Sequence, residues 1–299
     1  MNENENLIVE KTFKVAIQNQ SNNNLLIAKN LYNKILEINP KHQNSLHNLG
    51  IIFQDLGEFQ KAKNCIKKII DINPNFEEAH NTLGVIYKKL RSNQKAIDCF
   101  KKATELNPNY EVPIYNLGTV FQELENYHEA IDCFEKVIKI NYNYVFAHNN
   151  LGNSFNELGE YHKAIESYKK AIELNPNYER ALYNLGVVFQ DLGEFNKAIN
   201  FYQKSILINP NYLDAHNNLG TVFQKLREYQ KAKNCFEKVI ELYPDNVDGY
   251  INLGVIFKNL GEFNKEINCY KKIIEIDPDN QLFINLLMSA LSSFKFDNR

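Results

Sequence analysis

The sequence predicts an all-α solenoid of antiparallel helix pairs, and three observations carry that prediction. Proline returns on a fixed beat: Pro40, Pro74, Pro108, Pro176, Pro210, Pro244 and Pro278 stand 34 or 68 residues apart, and Tyr142 fills the one beat that lacks it. A Leu-Gly pair keeps the same 34-residue phase without insertion, at Leu49-Gly50, Leu83-Gly84, Leu117-Gly118, Leu151-Gly152, Leu185-Gly186, Leu219-Gly220 and Leu253-Gly254. Within each unit, positions 4, 7, 8, 11 and 14 form one stripe of a helix, and positions 20, 24 and 27 form a second. Neither helix buries its stripe alone, so the units must stack.

Taken in order, residues 1–8 read as an N-terminal extension, followed by repeats at 9–42, 43–76, 77–110, 111–144, 145–178, 179–212, 213–246 and 247–280, and by an apolar half-repeat helix at 281–299. The first repeat has Val15-Ala16 for Leu-Gly and Asn19 for the aromatic at position 11, as a terminal cap tolerates. Glycine at position 15 (Gly57, Gly159, Gly193, Gly261) supplies the left-handed residue that ends helix A, while Arg91, Glu125 and Arg227 replace it elsewhere. Proline at position 32, after asparagine, stops helix B. Glycine at position 8 and alanine at position 20 leave no bulk between paired helices, and larger residues at 24 and 27 are expected to fill the seam with the next unit. Glu266 takes the alanine site of the eighth repeat, where a carboxylate must be paired or swung outward; a loosened seam is expected there. The last segment holds Leu282, Phe283, Ile284, Leu286, Leu287, Met288, Leu291, Phe294 and Phe296, too apolar for a polar closing cap. Either more protein follows, or this end docks on a partner or a second copy.

Leucine at position 7, glycine at 8, an aromatic at 11, alanine at 20, an aromatic at 24 and proline at 32, which in the fifth repeat are Leu151, Gly152, Phe155, Ala164, Tyr168 and Pro176, resemble the tetratricopeptide repeat family. The resemblance runs over roughly residues 9 to 294. It implies a right-handed superhelix whose A helices line a concave groove, and a protein that holds other polypeptides.

Composition narrows the function classes. Lys+Arg 34 against Asp+Glu 36 leaves a net charge of -2, so no global basic field draws nucleic acid or anionic lipid. Neither a leader-like N-terminus nor a run of 18 apolar residues occurs, which reads as a cytoplasmic or nuclear chain with no membrane partner. All five cysteines (Cys65, Cys99, Cys133, Cys235, Cys269) fall on position 23, one per helix B, so they do not converge on a metal and are expected to be small packed thiols in a reducing compartment. His80, His148 and His216 occupy position 4 of alternate repeats and are expected to pack. No nucleophile triad, phosphate loop or carboxylate pair stands outside the repeat pattern, so we expect no catalytic residue, no metal and no cofactor. Lysine at position 26, followed by an acid three residues on (Lys68/Asp71, Lys102/Glu105, Lys170/Glu173, Lys238/Glu241, Lys272/Glu275), reads as a solvated outer face, or else as a basic ridge for an acidic partner.

What remains is position 6 of helix A: Asn48, Asn116, Asn150, Asn184, Asn218 and Asn252, interrupted by Thr82. Periodicity points this position away from the buried stripe, beside positions 2, 9 and 13, so solvent exposure is expected. Asparagine is a mediocre helix former, and positions 2 and 13 vary freely, so duplication alone explains the row poorly. A carboxamide grips both the N–H and the C=O of a peptide unit without reading its side chain. The strings around His148-Asn149-Asn150 and His216-Asn217-Asn218 are similar to the superhelix of the O-linked N-acetylglucosamine transferase family, where the resemblance implies an asparagine ladder on the concave face that holds extended chains. Asn153 at position 9 and Phe146 at position 2 add to the groove. The family's chaperone-binding members clamp a terminal carboxylate with lysines and arginines at positions 2, 5 and 6; position 6 here has none, so no carboxylate-clamp binding is expected. The leading expectation is a scaffold for extended peptide segments. Its rivals are the substrate-recruiting arm of a glycosyltransferase whose catalytic domain lies beyond Arg299, and a structural subunit of a multiprotein assembly that dimerises or docks through the convex face or self-associates through its apolar C-terminal end.

Overall fold

The computed structural model describes residues 2–278 together with 281, 284, 285, 287 and 288. Sixteen helices account for nearly all of them, and no strand occurs among the described residues. The chain divides into two compact units, residues 1–154 and 155–299, with the boundary inside one helix. The first unit holds α1 (Glu3–Ser21), α2 (Leu25–Ile38), α3 (Gln43–Asp55), α4 (Phe59–Ile72), α5 (Glu77–Lys89), α6 (Asn93–Leu106), α7 (Glu111–Glu123), α8 (Tyr127–Ile140) and most of α9 (Val145–Glu157). The second holds α10 (Tyr161–Leu174), α11 (Glu179–Asp191), α12 (Phe195–Ile208), α13 (Leu213–Lys225), α14 (Tyr229–Leu242), α15 (Val247–Asn259) and α16 (Phe263–Ile276). Odd-numbered helices are the A helices of the repeats, and even-numbered ones are the B helices.

The short turns explain the pairing. At each A–B turn position 15 has positive φ, 72° at Gly57, Gly159, Gly193 and Gly261, and 55–60° at Asn23, Arg91, Glu125 and Arg227. This closes a Schellman motif: the Gly57 N–H donates to the Gln54 carbonyl at 2.9 Å, and the Glu58 N–H to the Phe53 carbonyl at 2.7 Å. At the B–A turns of the first six repeats, the side-chain oxygen of the asparagine at position 31 accepts the N–H of position 33, as in Asn109 to Asn107 at 3.2 Å. Asn143 to Asn141 forms the same bond at 3.2 Å where Tyr142 replaces proline, so the asparagine rather than the proline shapes this turn.

The glycine at position 8 is where the paired helices close on one another. A Cβ built on Gly84 would stand 2.5 Å from the Phe100 ring, on Gly186 2.7 Å from Tyr202, and on Gly220 2.7 Å from Phe236. The aromatic at position 24 therefore seats on the glycine of its own repeat, in addition to reaching the next unit through the Tyr32 and Tyr202 hydroxyls. The alanine at position 20 is fully buried in all seven repeats that have it, from Ala28 to Ala232.

Several local expectations change. Within the N-terminal extension, α1 already begins at Glu3, capped reciprocally by Asn2 and Glu5, and runs on into the first repeat. Glu266 is not swung outward; it is 4% exposed, and burial pushes its carboxyl up, offset in part by Lys258 and by a hydrogen bond with Tyr270. Four of the five position 26–29 ion pairs form, at 2.7 to 3.3 Å, but no Lys68–Asp71 pair does. In the last segment Leu287 packs beside Ile267, Tyr270 and Ile273, and Met288 is exposed. Leu282, Phe283, Leu286, Leu291, Phe294 and Phe296 lie outside the described residues.

Candidate functional site: the A-helix row

Within each unit, A helices of successive repeats approach one another directly, α5 with α7 and α11 with α13, whereas successive B helices show no comparable approach. The A-helix side is thus the tighter one, and position 6 lies along it. The structure corrects its expected exposure: Asn48, Asn116, Asn150, Asn184, Asn218 and Asn252 are all half-buried, as are the position 9 residues, Asn153 among them, while positions 2 and 13 are mostly exposed. The reason is the neighbouring A helix, which a single-helix periodicity does not contain.

The preceding repeat, through both of its helices, also supplies hydrogen-bond partners. In the first unit the Asn48 amide donates to the Tyr32 hydroxyl at 3.0 Å, Asn116 to Asn81 Oδ1 at 3.0 Å, and Asn150 to the Tyr115 hydroxyl at 3.0 Å. In the second, Asn218 donates to the Tyr183 hydroxyl at 3.0 Å and to Tyr202 at 3.5 Å. Each acceptor belongs to position 5 or 24 of the preceding repeat. The tyrosines at 24 pass the chain on to position 12, Tyr32 donating to Gln20 at 2.7 Å and Tyr202 to Gln190 at 3.0 Å. Asn252, whose preceding repeat offers Asn217 and Phe236 in those places, makes no such bond among the described residues, and Thr82 turns to its own Glu78 carbonyl at 2.8 Å.

A carboxamide has two N–H groups and an acceptor oxygen. In Asn48 and Asn116 one N–H is held by the preceding repeat, and the other N–H and Oδ1 have no partner among the described residues; in Asn218 the amide donates to both Tyr183 and Tyr202, and Oδ1 has no partner among them. In Asn150, Oδ1 accepts from Asn149 at 3.2 Å. The row is thus oriented by the stack and keeps part of its hydrogen-bonding capacity outward.

Tyrosines at position 5, absent from the sequence reading of the site, frame the row. Tyr115 packs on Tyr144 with ring centroids 5.1 Å apart, and Tyr144 meets Phe146 at 6.4 Å; Phe146 itself is 53% exposed, as a groove contact requires. Tyr183 repeats the arrangement with Tyr212 at 5.1 Å, and burial pushes the Tyr212 hydroxyl up to about 12, reinforced by Tyr183 and Asp214. The signal that could have found them is the alternation of position 5 between Asn and Tyr (Asn81, Tyr115, Asn149, Tyr183, Asn217).

The other singled-out residues are structural. His80, His148 and His216 each hydrogen-bond through Nε2 to the carbonyl of position 32 in the preceding repeat, at 2.8, 2.9 and 2.9 Å, which ties adjacent units. The cysteines are unpaired thiols; burial raises Cys99 to about 11 and Cys133 to about 12, far from nucleophilic thiolate character. Among the described residues no cluster of His, Cys, Asp or Glu is suited to a metal, and no helix is long and apolar enough to cross a membrane.

Family models of the tetratricopeptide repeat match residues 31–64, 77–110, 114–143, 177–245 and 247–280, and a TPR repeat model matches 152–193. No curated protein matches the sequence. Among solved structures, the Cut9-Hcn1 hetero-tetramer of the APC/C is 19% identical with a TM-score of 0.62, covering 89% of this chain and 52% of that one. The chain thus spans about half the length of that relative. Pseudomonas aeruginosa pilF is 20% identical with a TM-score of 0.61, covering 71% of this chain and 97% of that one. YrrB, described as a TPR protein with an unusual peptide-binding site, is 23% identical with a TM-score of 0.52, covering 64% and 98%. At these identities the likeness is one of fold.

Proposed function

The chain belongs to the tetratricopeptide repeat family, and from that premise we propose that it is a protein-interaction scaffold whose A-helix row, in each unit, binds an extended peptide segment. The observation that carries this reading is a row of half-buried carboxamides, of which Asn48 and Asn116 are held by one N–H and left with a donor and an acceptor, the pair that a peptide unit requires, while Asn218 keeps its acceptor. Rungs on adjacent A helices stand on the order of 10 Å apart, so they meet about every third residue of an extended strand rising roughly 3.3 Å per residue. Binding main chain selects for extension; Phe146, Asn153 and the exposed residues at positions 2 and 13 select the sequence. That YrrB carries a peptide-binding site on this fold supports the reading. The asparagine ladder of the O-linked N-acetylglucosamine transferase superhelix is its pattern, and that likeness is one of sequence alone.

The test is affinity capture from lysate with the intact chain beside a variant with Asn116, Asn150, Asn184 and Asn218 changed to Ala, its helicity checked by circular dichroism because Asn116, Asn150 and Asn218 also tie repeats. We expect the folded variant to lose most captured partners. Equal recovery of the same proteins by both refutes the ladder. Neither form is expected to retain a free acidic chaperone tail, since no lysine or arginine occupies position 6.

A further inference from the structure

The B-helix side of the first unit carries two equivalent clefts, one repeat apart. The cleft between α2 and α4 has a volume of about 530 Å³, and the one between α4 and α6 about 440 Å³; the same ten repeat positions line both. Each floor is mainly apolar and follows one A helix, Leu46, Leu49 and Phe53 in the first, and Leu83 and Tyr87 beside Cys99 in the second, where His80, tied to the Pro74 carbonyl, takes position 4. Floor positions 4, 7 and 11 span about 10 Å at 1.5 Å per residue, the length over which an amphipathic helix presents its i, i+3 and i+7 side chains.

The rims are basic. Helix α4 carries Lys61, Lys63, Lys67 and Lys68 against the single acid Asp71, and α6 carries Lys95, Lys101 and Lys102 against Asp98 and Glu105. Lys61 pairs with Glu58, and Lys102 with Glu105 at 3.3 Å. Lys63, Lys67, Lys68 and Lys101 have no ion pair among the described residues. At the next junction the sign turns: α8 carries Glu129, Asp132 and Glu135 against Lys136 and Lys139. The near-neutral total charge therefore conceals a local basic patch centred on two apolar recesses.

We propose that these clefts dock an acidic amphipathic helix of a partner protein, its apolar stripe on the floor and its Asp and Glu flanks against Lys67, Lys68 and Lys102. The recess between two B helices admits a ridge of side chains, which favours a helix over a flat lipid surface. This site lies on the B-helix side and is independent of the asparagine row.

The probe is a fluorescein-labelled helix-forming peptide of Leu, Ala and Glu, with Leu at i, i+3, i+4 and i+7, titrated into the full chain by anisotropy. We expect saturable, salt-sensitive binding, weakened about tenfold or more in the Lys67→Glu/Lys68→Glu/Lys102→Glu variant and less in the corresponding Gln variant, both with unchanged circular dichroism. Bound peptide should slow alkylation of Cys99, read by mass spectrometry, and leave Cys133, at the acidic junction, unaffected. Asn116→Ala/Asn218→Ala should leave this affinity unchanged, which separates the site from the peptide row. Absence of binding, equal binding of a peptide with Lys in place of Glu, indifference to the rim reversal, equal protection of Cys133, or binding only to phosphatidylserine vesicles would each overturn the proposal.

Discussion

Arg227 stands at φ 60° in the turn where four other repeats place glycine at 72°. The hydrogen bonds are the same in both kinds of turn: the Arg227 N–H reaches the Gln224 carbonyl at 3.0 Å, and the Glu228 N–H reaches Phe223 at 2.8 Å. An L-residue in the left-handed region costs about 1–2 kcal/mol, while glycine gives back about 0.5–1 kcal/mol through its freer unfolded chain. Arg227 is exposed and in no ion pair among the described residues, so removing its side chain forfeits little. Arg227→Gly is therefore expected to stabilise the protein by about 0.5–1 kcal/mol, and the triple change at Arg91, Glu125 and Arg227, sites a repeat or more apart, by about 2 kcal/mol. The converse series isolates the backbone term. A Cβ on Gly57, Gly159 or Gly193 would meet nothing within 4 Å, so Gly→Ala there tests conformation without a clash and should cost about 1 kcal/mol each. Urea unfolding followed by circular dichroism reads both series. A neutral or destabilising Arg227→Gly beside a costly Gly193→Ala would refute the reasoning.

The glycines at position 8 give a graded prediction: Gly84→Ala, whose Cβ falls 2.5 Å from Phe100, should destabilise by about 2–3 kcal/mol, and Gly254→Ala, 3.1 Å from Tyr270, by less than half of that, as melting of the two purified variants will show. Glu266→Ala should stabilise by about 1–2 kcal/mol at neutral pH, because burial disfavours the carboxylate there and the other repeats bury alanine. Its pH dependence has a fixed sign. The folded pKa is raised, so the contribution of Glu266 is most favourable below the unfolded value of about 4.3 and is lost as pH rises through the folded one. The advantage of the alanine variant should thus shrink on acidification; an advantage constant from neutral pH to about pH 4 would rule out titration as its origin.

The helices and their register were legible because every relevant signal is local and repeated. Leu-Gly, Asn-Pro and the turn glycine act within one unit, and eight copies average out accidents such as Tyr142. Features set by a second helix were not legible. Position 6 looks exposed on a single helical wheel and is half-buried because an A helix one repeat away covers it. For the same reason the cation–π contacts escaped notice, in which Lys61, Lys163, Lys197, Lys231 and Lys265 at position 19 lie 5.0 to 5.6 Å from the ring at position 11 while pairing with Glu at 16. Those three positions belong to two helices, and only the fold brings them together.

The inter-repeat bonds of the asparagine row bear on why it recurs. A purely structural role needs one donor per rung, and a serine or threonine hydroxyl supplies one; Thr82, at the one interrupted rung, instead satisfies its hydroxyl within its own helix at 2.8 Å. Asn252 meets Asn217 and Phe236, the residue types that Asn116 meets in Asn81 and Phe100, yet it makes no such bond among the described residues. The bond to the preceding repeat therefore does not by itself account for asparagine at every rung. Conversely, a row selected for ligands alone has no need of Tyr115 and Tyr183, whose hydroxyls fix the direction of Asn150 and Asn218. The two roles fit together physically. A carboxamide free to rotate loses conformational entropy when it engages a ligand, and one held by a single N–H has already lost most of it on folding, so on the proposed reading the bonds between repeats would pre-organise the surface offered to a peptide.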